Sequence, residues 1–132
     1  MRRLVLYRGV PGTGKSTQAT KDASPGTYIL EEDDYFTLPD GTYRFSLAHR
    51  RAAIEWTVAR ACALLYQGAS EVFVCAVLPL RDDVARFKQV ILDRHPDVTF
   101  EVREPKGGVG SIHGVPTESQ RMFESLYEPY HV

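Results

Sequence analysis

The chain has 132 residues, 43% of them hydrophobic and 25% charged, with a formal net charge of −1. That is one domain of ordinary size with enough apolar material for a core, so residues 1–132 are read as a single unit. The near-neutral balance excludes coating of nucleic acid through bulk basicity, two cysteines exclude a disulfide framework, and no apolar run reaches membrane-spanning length.

Residues 3–8 are predicted as a first strand, built on the apolar run Leu4-Val5-Leu6-Tyr7. Met1-Arg2-Arg3 leads straight into it without the pattern of a signal peptide, which points to a cytoplasmic protein. Gly9-Val10-Pro11-Gly12-Thr13-Gly14-Lys15-Ser16 follows directly and reads G-x-x-x-x-G-K-S, the phosphate-binding P-loop. Glycines let the backbone curl so that successive N–H groups point into one concavity, and the helix that begins near Lys15 adds its positive end. Gly12, Thr13, Gly14, Lys15, Ser16 and Thr17 are therefore the candidate ATP-binding residues. Lys15 reaches the β- and γ-phosphates and Ser16 holds Mg²⁺ through its hydroxyl. In the empty loop Lys15 is expected to face solvent.

Residues 15–22 form a predicted helix, stopped by Ser24-Pro25-Gly26, and Thr27–Leu30 is a short strand. An acidic cluster, Glu31-Glu32-Asp33-Asp34, follows it on the edge of the sheet that carries the P-loop. A carboxylate there can take the proton of a hydroxyl that attacks the γ-phosphate. Leu38–Tyr43 is a turn or small hairpin around Asp40-Gly41.

Residues 46–67 are the longest predicted helix, with Leu47, Ile54, Val58, Ala61 and Leu65 as its apolar stripe, Ser46 capping its start and Gly68 its end. Val72–Val77 is continuously apolar and reads as a buried parallel strand. A helix over 82–94, a strand over Val98–Val102, a glycine loop over Gly107–Ser111 and a last helix to about Tyr127 complete the chain. Thr117–Gln120 has the pattern of a capping box for that last helix. Cys62 and Cys75 lie in apolar segments and read as small core residues. Strands alternate with helices, so the fold class is α/β, with a mostly parallel sheet of about four strands and the ligand at the strands' carboxyl ends.

Three segments together resemble the polynucleotide 5′-hydroxyl kinases and their relatives among P-loop kinases. They are Tyr7–Thr17 (YRGVPGTGKST), Glu31–Phe45 (EEDDYFTLPDGTYRF) and His113–Glu124 (HGVPTESQRMFE). The resemblance implies a three-layer P-loop kinase-like fold and transfer of phosphate from ATP to a nucleic-acid 5′-hydroxyl. It implies Lys15 as the phosphate lysine, Ser16 as the metal-linked hydroxyl and Asp33, first of the Asp-Asp-Tyr run, as the general base. Two departures stand out. Cys75-Ala76-Val77-Leu78 occupies the strand end where the family carries Asp with Thr or Asn, and Gly110-Ser111 occupies the place of a lid Arg-Asn. The lid reads as reduced, and Arg81, or else Lys106, is the candidate to stabilise the transferring phosphoryl group in place of the lid arginine. A small-metabolite kinase and a catalytically reduced ATP-binding interaction protein are the alternative readings. No membrane association is expected; the acceptor is a nucleic acid or nucleotide-like hydroxyl.

Overall fold

The computed structural model of the chain describes residues 1–106 and 117–131. In order they form β1 (Arg2–Arg8), α1 (Lys15–Asp22), β2 (Tyr28–Glu31), α2 (Arg50–Tyr66), β3 (Glu71–Ala76), α3 (Arg81–Arg94), β4 (Val98–Arg103) and α4 (Thr117–Leu126). Two 3₁₀ turns, Glu32–Phe36 and Leu47–His49, lie between β2 and α2. The strands make one sheet in the order β2-β3-β1-β4, with every pairing parallel. Side chains alternate between the two faces of a strand, so β1 and β3 send residues both ways. Val5, Tyr7, Phe73 and Cys75 pack with Ala19 of α1. Leu4, Leu6, Val72 and Val74 pack with α2 and α3. The α/β class and the parallel sheet expected from the sequence are both present, and covering on both faces explains why the two central strands read as unbroken apolar runs. Cys62 and Cys75 are buried free thiols. Among the described residues no helix is long and apolar enough to cross a membrane.

Three local expectations are corrected. The long helix starts at Arg50, not at residue 46. Ser46 instead meets the His49 ring at 2.9 Å, and Leu47 sits in a 3₁₀ turn, 43% exposed. The buried face of α2 is Ala53, Thr57, Val58, Ala61, Cys62 and Leu65, with Thr57 satisfied internally by the Ala53 carbonyl at 2.8 Å. At the last helix Gln120 does not fold back as a capping-box partner; its amide nitrogen donates to the Pro11 carbonyl of the P-loop at 3.0 Å. The predicted glycine loop Gly107–Ser111, its Gly110-Ser111 lid positions and the His113–Pro116 segment lie outside the described residues. Gly68 behaves as predicted: φ is 98° and its amide closes on the Leu65 carbonyl.

One buried ionic cluster ties the strand ends together. Arg8 is the last residue of β1 and wholly inaccessible to solvent. Its guanidinium donates to the Leu78 carbonyl at 2.7 Å, the Pro79 carbonyl at 3.0 Å and the Glu104 carboxylate at 2.9 Å. It also lies 4.3 Å over the Tyr127 ring. Glu104 receives the Tyr127 hydroxyl at 2.5 Å and the Tyr130 and His131 amides at 3.1 and 2.9 Å. Burial alone would raise the Glu104 pKa. Those donors and Arg8 outweigh it and hold the carboxyl below its usual range. A carboxylate so depressed contributes stability above its unfolded pKa and loses that contribution as pH falls through the folded one.

Arg8→Met keeps most of the volume but strands a carboxylate in the interior. Unfolding in urea is expected to show a loss of about 3–5 kcal/mol, the scale for breaking a buried pair from one side. The Tyr130 and His131 amides should exchange faster in the same variant.

Candidate active site

The P-loop is shaped by backbone need. Gly12 and Gly14 have φ of 92° and 83°, a region open to glycine and strained for other residues. A Cβ on Gly9 would stand 2.4 Å from the Thr13 hydroxyl oxygen, so the loop closes only without one. That hydroxyl donates to the Val10 carbonyl at 3.0 Å and pins the turn. α1 starts at Lys15 with no side-chain cap, which leaves its first amides available to an anion. Ser16 and Thr17 follow, exposed, in its first turn.

Lys15 does not face solvent. It folds back, donating from Nζ to the Gly9 and Val10 carbonyls at 2.8 and 3.1 Å. Burial lowers its pKa, and Asp33 leads the groups that pull it back up. The lysine is therefore held against the loop by hydrogen bonds that phosphate oxygens can replace.

The acidic cluster is divided by the 3₁₀ turn after β2, whose three residues per turn send consecutive side chains in different directions. Glu32 points inward. It accepts the Val77 amide at 3.4 Å, and burial pushes its pKa up to about 7. Asp33 is exposed at the P-loop edge and accepts the Tyr43 hydroxyl at 3.3 Å. Burial first, and the Asp33 charge next, raise the Tyr43 pKa, so the phenol stays a donor. Asp34 turns to Arg60 at 3.6 Å, whose guanidinium lies 4.3 Å over the Trp56 ring. The hairpin expected around Asp40-Gly41 forms: Thr37 bridges to Tyr43 and the Leu38 amide reaches the Thr42 carbonyl. It delivers Tyr43 to Asp33, a contact between residues ten apart that the sequence pattern did not suggest.

Glu31 is the site residue the sequence reading left unassigned. It pairs in register with Cys75 on β3 and interacts with the Ser16 hydroxyl. Burial raises its pKa, with the Ser16 hydrogen bond opposing. Cys75 itself is a core thiol pushed well above its usual range by burial. The β3 end is apolar throughout: Cys75, Ala76, Val77 and Leu78 are all buried. Leu78 holds φ 39°, a left-handed conformation costly for a branched side chain. No acid stands at the end of β3, and the carboxylate beside it is Glu31 on the neighbouring strand. Ser16 and Glu31 together offer two hard oxygens. That suits Mg²⁺, which takes one or two protein oxygens and completes its shell with water and phosphate. Strand-end alternation was the available signal, since Glu31 lies on the same face as Ile29 and faces α1.

Arg81 opens α3 at the same sheet edge, exposed, with its own amide bound by Glu128 at 2.8 Å. Among the described residues no hydrogen bond or ion pair joins its side chain to the P-loop. Beside the loop lies a cavity of about 580 Å³. Val10, Thr13, Pro105, Lys106, Tyr127 and His131 are among its walls. Its size and its contact with the loop suit the nucleoside of a bound nucleotide.

No family model matches the chain. It is 31% identical over 131 residues to human NEDD4-binding protein 2; the match takes in 92% of this chain and 7% of that protein, so the chain corresponds to a small part of that relative. Among solved structures it superposes on the APS kinase of Mycobacterium tuberculosis, 21% identical with a TM-score of 0.59, covering 95% of this chain and 96% of that one. A gluconokinase from Sinorhizobium meliloti gives 14% identity and a TM-score of 0.61, with 98% and 77% covered. A chain of the Pnkp1/Rnl/Hen1 RNA repair complex gives 20% identity and a TM-score of 0.50, with 92% and 36% covered. Such identities speak for the fold, and the fold is that of the P-loop kinases.

Proposed function

We propose that the chain is an ATP-dependent phosphotransferase whose acceptor is a nucleic-acid 5′-hydroxyl. The observation that carries this reading is Asp33. An exposed carboxylate, braced by Tyr43, stands at the P-loop edge close enough to Lys15 to act on its charge. Lys15 leaves the Gly9 and Val10 carbonyls for the β- and γ-phosphate oxygens, and the amides of the first turn of α1 take the remaining charge. Ser16 and Glu31 would hold Mg²⁺, which supplies charge neutralisation on the phosphates. Asp33 accepts the hydroxyl proton as the acceptor oxygen bonds to the γ-phosphorus. The bond from that phosphorus to the bridging oxygen breaks, ADP leaves, and Asp33 returns its proton to solvent. Arg81 is the candidate to meet the charge on the moving phosphoryl group.

The nucleic-acid acceptor rests on the resemblance of the Asp-Asp-Tyr hairpin to polynucleotide kinases and on likeness to a chain of an RNA repair complex. A small-metabolite acceptor is the second reading. It is favoured by near-complete coverage of the APS kinase. Transfer of labelled phosphate from ATP to 5′-hydroxyl oligonucleotides, set against small hydroxyl metabolites, decides between them. Labelling of the metabolites alone would sink the first reading.

Lys15→Ala should abolish most of the rise in thermal midpoint that ATP with Mg²⁺ produces, because that rise reports binding to the native state alone. The unliganded midpoint should move little, since the lysine is held by two loop carbonyls and not by the core.

Asp33→Asn keeps the shape and removes the proton acceptor. Transfer should fall by about two orders of magnitude or more while ATP affinity stays within a few-fold; Asp34→Asn should do much less. Full activity in Asp33→Asn would refute the base assignment.

Glu31→Gln tests the metal pair. Calorimetric titration of the ATP-loaded protein with Mg²⁺ should show weaker metal binding by about tenfold, with ATP binding in the absence of metal unchanged.

A further inference from the structure

α2 enters β3 and α3 leaves it, so the two helices run side by side in the same direction over one face of the sheet. Their outer surfaces do not close. A cavity of about 380 Å³ lies between them, and a second of about 530 Å³ shares Ala59, Cys62 and Arg94 with it, so the two form one groove. It extends from Arg50 and Asp83 near the reaction edge to Tyr66 and His95 at the far side of the sheet.

The floor and the rim differ in kind. Ile54 and Val90, partly buried, make an apolar floor with Val58 and Phe87 buried beneath them, and four guanidinium groups, Arg50, Arg51, Arg86 and Arg94, stand along the walls. Two carboxylates share that lining, Glu55 and Asp83. Asp83 is already engaged, by Arg50 at 2.7 Å and by the Leu80 amide at 3.3 Å. The groove is therefore positive in a chain whose net charge is −1. Neither the P-loop nor the acidic turn contributes to it.

We propose that this groove docks an acidic amphipathic helix of a partner protein. Length argues for a polypeptide. A helix of 17 residues such as α2 is about 25 Å long, and a small ligand would fill only one of the two cavities. The floor argues for aliphatic side chains, the pattern of an amphipathic helix laid into an apolar groove. Single-stranded nucleic acid needs open ring faces for stacking, whereas Phe87 is 1% exposed and the exposed Tyr66 lies at the far end. The arginines argue for the sign and the spacing. Arg86 and Arg94 are eight residues apart on α3, about 12 Å, which two carboxylates two turns apart on a partner helix would match.

The test uses a fluorescein-labelled 17-residue peptide with leucine at i, i+3, i+4 and i+7 positions and glutamate on the flanks, read by anisotropy against the whole chain. Saturable binding that weakens at least tenfold in Arg86→Glu/Arg94→Glu, and weakens with salt, is expected. Both arginines are exposed, so the thermal midpoint of the variant should match the parent; if it does not, Arg86→Gln/Arg94→Gln replaces it. A peptide with lysine for glutamate should bind the charge-reversed variant better than the parent. The proposal is overturned by absence of saturable binding, by equal binding of a peptide of the same composition without the leucine stripe, or by indifference to the double substitution. It is equally overturned if a single-stranded oligonucleotide, and not the peptide, depends on Arg86 and Arg94. Phosphoryl transfer is not needed for any of these readouts.

Discussion

The geometry of the sheet edge that carries the P-loop depends on a buried cation. Arg8 immediately precedes the first P-loop glycine, and its guanidinium reaches the β3 exit through two carbonyls and the β4 exit through Glu104. Glu104 in turn gathers the C-terminal segment through Tyr127, Tyr130 and His131. An arginine so placed is expensive to desolvate and is tolerable only because its donors and its ring face are engaged. The arrangement brings the ends of three strands and the chain's last residues to one point beside the phosphate loop. The cavity beside the loop has Glu104, Tyr127 and His131 in its wall, so the same cluster that closes the fold shapes that cavity.

Around this anchor, charge is distributed by strand register. The four consecutive acids after β2 are not an undifferentiated solvated run. Glu31 turns to Ser16, Glu32 goes into the core under Val77, Asp33 faces the loop and Asp34 turns to Arg60. A negative site thereby faces the lysine without four carboxylates repelling one another at close range. Hydrophobic residues at the end of β3 then fit the pattern. With Glu31 turned to Ser16 from β2, Cys75 across from it is a small packing group, and the β3 exit seals the core.

The shape of the P-loop was legible because it is local: glycines at positive φ set one short turn. β1 and β3 were legible because a strand covered on both faces must be apolar throughout. The start of α2 was not, because Leu47 continues the helical spacing while its 3₁₀ turn leaves it in solvent. Gln120 has the sequence of a cap and the role of a strut, a distinction made by Pro11, more than a hundred residues away. Arg8 reads as a charge that ends a strand; only the positions of Leu78, Pro79 and Glu104 turn it into a buried keystone. The contacts of Gln120 and Arg8 join residues far apart in the chain, where periodicity carries no information.

Leu78 sets two demands against each other at one position. Its φ of 39° asks for a residue without a side chain, while a surface exposure of 1% asks for a large apolar one. The strain costs about 1–3 kcal/mol, and burying a leucine returns about 1.5–3 kcal/mol, so neither demand dominates. Glycine would relax the backbone and leave a void; β-branched residues would fill the void and worsen the strain. Very few amino acids satisfy such a position, and drift there is blocked in both directions. In a set of natural variants Leu78 should therefore change only together with its surroundings, as a marker of how the β3 exit is built.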